Sequence, residues 1–99
     1  MHATKAQTAL GILADEVGRR RGLDGPVPTG LDAYMDATGL MLSPDWNNGE
    51  PAVIGEGLCL PGVDYWVDVL MDEGVVARLR SAGIFAEPYD NCVVCLYDY

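Results

Sequence analysis

The chain is 99 residues long, with 49% hydrophobic residues, 15 acidic and 6 basic side chains, and a net charge of −9. That is enough apolar material for one folded domain over 1–99 and too much for a disordered chain. A field of this sign repels nucleic acid and anionic membranes, and no apolar run approaches the roughly 18–20 residues of a membrane span.

The first predicted element is a helix. Thr4-Lys5-Ala6-Gln7 has the form of a capping box, and Ala6, Leu10, Leu13 and Val17 follow at helical spacing. Asp15 and Arg19, then Glu16 and Arg20, stand four apart with the acid first, the favourable order for ion pairs along a helix. Arg19, Arg20 and Arg21 fall where a helix C-terminus favours cations, and Gly22 can supply the left-handed residue that ends it. The arginine triplet therefore has a structural explanation and is not read as a nucleic-acid patch. Gly11 and Gly18 each weaken the helix by about 1 kcal/mol relative to alanine, which marks them as points of close helix contact. Asp15 and Glu16 also interrupt the one stretch that could serve as an apolar leader, so a cytoplasmic protein is expected.

Pro26 and Pro28 stiffen a linker. A second, shorter helix is predicted from Thr29 to a stop at Gly39, with Leu31, Tyr34 and Met35 as its apolar face. LMLSPDWNNGEP then reads as a short apolar run followed by a loop, because Pro44, Asn47-Asn48-Gly49 and Pro51 oppose regular structure. Trp46 within it either folds back onto the core or anchors a partner. The core reading is preferred, and Trp46 is kept as a candidate anchor.

AVIGEGLCLPGVDYWVDVLMD carries two periods at once. Val63, Trp66, Val67, Leu70 and Met71 fit a helix, whereas Val63, Tyr65, Val67, Val69 and Met71 alternate as in a strand. Valine and aromatic content favours the strand. A hairpin folded at Pro61-Gly62 sets Leu60 opposite Val63, Leu58 opposite Tyr65, Ile54 opposite Val69 and Ala52 opposite Met71, which sorts both strands into one apolar face. Asp72 is then a good N-cap for a helix ending at Gly83. Ile84-Phe85-Ala86 and CVVCLY follow as strands, broken by Pro88 and the Asp90-Asn91 turn. The predicted fold is α+β, in the order α-α-β-β-α-β. It has a small antiparallel or mixed sheet of three to four strands and two to three helices packed mainly on one face.

Reactive chemistry is poorly served. NCVVC has strand composition with no helix cap before it, unlike a redox C-x-x-C, and strand positions three apart point to opposite faces. Cys59, Cys92 and Cys95 are read as small apolar core residues. An odd number of cysteines without an export signal argues against a disulfide scaffold. The only other soft ligand is His2, so neither a metal nor another cofactor is expected. His2 is also the only histidine, and Ser43 and Ser81 lack a nucleophile context, so no catalytic residue is assigned and the chain is not read as an enzyme.

What remains is charge. No lysine or arginine occurs between Gly22 and Ala77, an interval with ten acidic residues. Asp64, Asp68 and Asp72 share a face in either secondary structure, with Trp66 between the first two. These residues and Trp46 are the candidate partner-binding set. The expected partner is a basic surface on another protein, such as a nucleic-acid-binding groove, with no direct contact to nucleic acid or membrane. Compact anti-CRISPR and anti-restriction inhibitors are the general type. The alternative is a self-associating assembly protein, a homodimer or larger, joined through an uncovered sheet face or edge. A cysteine-based zinc or redox module comes last.

Overall fold

The computed structural model of the protein describes residues 1–20, 22, 29–55, 69–90 and 92–99. Helix α1, Ala3–Arg20, buries Ala6, Ala9, Leu10, Leu13 and Val17 along one stripe, which follows from their helical spacing. The helix begins one residue before the predicted capping box. His2 caps it instead of Thr4: the Thr4 N–H donates to His2 Nδ1 at 3.2 Å, and the Ala6 N–H donates to the His2 carbonyl at 3.1 Å. At the other end Gly22 adopts φ +73° and its N–H returns to the Arg19 carbonyl, as predicted.

Helix α2, Leu31–Thr38, ends at Gly39 in the left-handed conformation, whose N–H donates to the Met35 carbonyl at 2.8 Å. Its start is two residues later than predicted, with Gly30 and no side-chain bond at the cap. Tyr34 packs on α1: a Cβ built on Gly11 would lie 2.9 Å from the Tyr34 hydroxyl. The glycine is the close helix contact its low propensity implied. Leu31 and Met35, predicted to face the core, remain about half exposed.

Four antiparallel strands follow: β1, Met41–Asn47; β2, Glu50–Ile54; β3, Ile84–Pro88; and β4, Val93–Asp98, in the order β1-β2-β4-β3. Helix α3, Glu73–Ser81, lies between β2 and β3 in the chain. Asp72 caps it as expected, accepting from the N–H groups of Gly74 at 2.9 Å and Val75 at 3.3 Å.

The central hairpin is not the predicted one. Asn47-Asn48-Gly49, read as a loop, is the turn between β1 and β2. Asn48 at φ +52° and Gly49 at φ +87° supply the two positive angles of a primed turn, whose twist suits a hairpin. Ala52 therefore faces Ser43 and Cys95, and Ile54 faces Met41 and Val93, so Met71 and Val69 are not their partners. With strands on both sides, β2 has no ladder left to offer residues 69–71. Val69 and Leu70 are helical, and Val69 is buried in the main core. The rest of the proposed second strand and its Pro61-Gly62 turn lies outside the described residues.

The main core fills the space between the helices and one sheet face. Leu10, Leu13 and Val17 of α1 and Val75 and Leu79 of α3 meet Val53, Ile84, Val94 and Leu96 of the sheet. Ala52, Val93 and Cys95 point the other way and form a second, smaller cluster. Both outer strands carry a proline, Pro44 in β1 and Pro88 in β3. The Tyr89 N–H bonds the Val93 carbonyl at 2.8 Å, so the alternate positions Ile84, Ala86 and Pro88 turn their backbone groups outward from β4. Proline removes a donor there and blunts the edge.

Candidate partner-binding face

Strand alternation puts Phe85 and Glu87 of β3 on the sheet face away from the main core, in register with Tyr97 and Cys95 of β4. Tyr89 continues the same row. Phe85 and Tyr97 pack ring to ring, with centroids 6.2 Å apart. A register shift between Ser43 and Asn47 bends the far end of β1, and Trp46 there meets Tyr89 edge to face at 5.9 Å and 76°. Trp46 and Tyr89 come from opposite borders of the sheet, so their contact bridges the face above the central strands. Small residues beneath make room: Ala52, Val93 and Cys95 are buried.

The rings are nonetheless accessible. Trp46 is 39% exposed, Phe85 48% and Tyr89 66%. The preferred core placement of Trp46 is thus corrected: Leu42 of the same strand packs on the main core, but the register shift between Ser43 and Asn47 takes Trp46 out of that alternation and to Tyr89.

Two carboxylates flank these rings. Glu87 stands opposite Cys95, and Asp90 Oδ1 accepts from the N–H groups of Cys92 at 2.7 Å and Val93 at 2.9 Å, forming the β3–β4 turn. Burial raises the Cys95 thiol above its ordinary pKa; a hydrogen bond with Tyr97 opposes this, and Glu87 and Asp90 push it up further. Such a thiol stays protonated at neutral pH and is a poor nucleophile or metal ligand.

All described lysines and arginines lie on α1 and α3, across the sheet. Lys5 bonds Asp98 at 2.8 Å, Arg78 bonds Asp15 at 3.2 Å, Arg19 and Arg20 both hold Glu16, and the Arg80 guanidinium lies 5.1 Å from the Tyr99 ring centre. Asp15 was predicted to pair with Arg19, but α3 packs alongside α1 and brings Arg78 within its reach.

Of the two described members of the predicted partner-binding set, Trp46 and Asp72, Trp46 reaches this face. Asp72 is occupied as the α3 cap, with its Oδ2 4.0 Å from Arg19 and from Arg20. Asp64, Trp66 and Asp68 lie outside the described residues. Phe85, Glu87, Tyr89 and Tyr97 were missed because Ile84-Phe85-Ala86 and CVVCLY were read as strands without assigning their faces; their spacing of two was the available signal.

The cysteines need a correction as well. Cys95 is a free, buried thiol, consistent with a core residue, but Cys92 is disulfide-bonded. It precedes β4 and packs against the same small cluster as Cys95, so the opposite-face argument does not apply to it. An odd cysteine count leaves room for one bond and one free thiol. Cys59 lies outside the described residues. Among the described residues no three His, Cys, Asp or Glu side chains gather as a metal site, and no helix is long and apolar enough to cross a membrane. Set against family models, curated proteins and solved structures, the chain matches none of them.

Proposed function

We propose that this protein is a small acidic protein-binding module that takes a basic surface of another protein. It would act in the manner of compact anti-CRISPR or anti-restriction inhibitors that occupy a nucleic-acid-binding groove. The observation that carries this reading is the separation of charge. The described bases are engaged on the helical layer, while the opposite sheet face offers exposed rings and carboxylates with no described cation among them. Carboxylates then stand where a groove expects phosphates, and aromatic anchors contribute more affinity than the surrounding charges.

Self-association is the second reading, and the prolines of β1 and β3 weigh against its edge-paired form. A pull-down from lysate, washed at low and then high salt with the solution mass measured alongside, separates the two. A basic nucleic-acid-binding protein held at low salt and released at high salt supports the module, because screening removes the attraction. No partner at either salt, together with a stable dimer, overturns it.

A cytoplasmic setting belongs to the same proposal. Cytosolic thiols keep disulfides reduced, whereas Cys92 is disulfide-bonded. Alkylation of the denatured protein, extracted without reductant, counts the free thiols. Three support the cytoplasmic placement, and Cys95 alone points to an oxidising compartment.

A further inference from the structure

We infer that the element this face accepts is an extended, arginine-bearing segment of the partner, an inference that rests on the protein-binding reading above. Three observations converge. Phe85 and Glu87 of β3 and Tyr89 just past its end form a ring–carboxylate–ring row, each two residues from the next. Side chains two apart on a strand repeat at about 7 Å, and so do those of an extended ligand, so alternate ligand side chains meet successive members of the row.

The rings themselves suit a guanidinium. Phe85 leans on Tyr97 and Tyr89 on Trp46, which leaves two exposed aromatic pairs on either side of Glu87. A planar guanidinium stacks on such rings and forms paired hydrogen bonds to a carboxylate, whereas an ammonium is compact and strongly hydrated. The chain's own Arg80 already uses this mode on Tyr99, 5.1 Å from the ring centre. Charge decides against a polyanion: Glu87 is exposed on the face, Asp90 is exposed in the turn beside Tyr89, and the described lysines and arginines are on the far layer. The ligand lies over the face and does not extend the sheet, because Pro88 withholds an edge donor.

The test is an NMR titration of the full chain with three probes: a nine-residue alternating Arg-Ser peptide, its Lys-Ser counterpart, and a ten-nucleotide thymidine single strand. The Arg-Ser peptide is expected to shift Trp46, Phe85, Glu87 and Tyr89 and to bind severalfold more tightly than Lys-Ser, because a guanidinium stacks flat on the rings and pairs with a carboxylate where an ammonium stays hydrated. Phe85→Ser with Tyr89→Ser should remove that preference, and Glu87→Lys should abolish binding. All three side chains are exposed, so the variants should fold.

Equal binding of both peptides, unchanged in the ring variant, overturns the arginine face and leaves the acidic module standing. If neither peptide binds while the lysate still yields a salt-released basic partner, this inference alone falls; an empty lysate removes both. Binding of the thymidine strand, or face signals that change on dilution of the protein alone, also overturns it in favour of a nucleic acid or a second copy.

Discussion

Leu96→Ala is expected to lower the free energy of unfolding by about 3–5 kcal/mol, the range for a buried leucine that leaves a cavity behind. Leu96 has no exposed surface and sits on β4, with β2 on one side and β3 on the other, pointing into the main core. Its chain neighbours Cys95 and Tyr97 point to the opposite cluster, so truncation should remove core packing without touching the aromatic face. A loss of that size approaches the whole stability of a small domain, roughly 5–15 kcal/mol. Tyr89→Ala is the matched control. It removes an exposed ring and one edge-to-face contact, for which about 0.5–1.5 kcal/mol is expected. Urea titration of both variants reads the difference as a shift in midpoint at constant slope. If Tyr89→Ala proved the more destabilising, the two faces of the sheet would be exchanged and the candidate face would be core.

The contrast between these two substitutions also shows what the sequence made legible. Local signals were sound where one residue decides a local geometry. Gly22, Gly39 and Gly83 take the left-handed angles that end their segments, Asp72 caps α3, and Gly11 lies under the Tyr34 hydroxyl. Class and layering followed from them, since amphipathic helices and period-two strands had to share one core.

Pairing was harder because it is non-local. Residues 52–54 can satisfy period two against many partners, and the valines of 63–71 offered one that sorted well on paper. The Asn48-Gly49 turn was the competing signal, and it won because both its residues accept positive φ, which sets β1 directly against β2. The candidate face stayed hidden for the same reason. Its rings come from residues 46, 85, 89 and 97, and only the strand order β1-β2-β4-β3 brings Trp46 to Tyr89. Charge was visible as a total, but its separation onto two layers depended on α1 and α3 packing on the same side.

That separation has an energetic centre at Glu16, and replacing it should change how the protein responds to acid. Glu16 is 5% exposed and accepts hydrogen bonds from Arg20 Nε at 2.8 Å and from both Nε and the terminal nitrogen of Arg19. Burial by itself would raise its pKa, but the bonds from Arg19 and Arg20 outweigh it and hold the carboxyl below its ordinary value. A carboxylate with a depressed folded-state pKa stabilises the fold above its unfolded pKa. That contribution is lost as the pH falls through the folded value. Glu16→Gln keeps the volume and loses the charge, so near neutral pH it should cost about 1.5–3 kcal/mol, the range for hydrogen bonds to a charged group. Below about pH 4, where the unfolded carboxyl begins to bind its proton, the gap to the unmodified chain should close. Asp98, held down by Lys5 and the N-terminus, adds to the acid limb of both proteins equally, so the difference between them isolates Glu16. Asp15→Asn is the exposed counterpart, removing a surface pair with Arg78 that contributes at most about 1 kcal/mol. A Glu16→Gln gap that stayed constant from pH 7 to pH 3 would mean the charge is not what Arg19 and Arg20 hold. The bases of α1 would then be free to meet other acids, and the division of charge between the two layers would lose its physical cause.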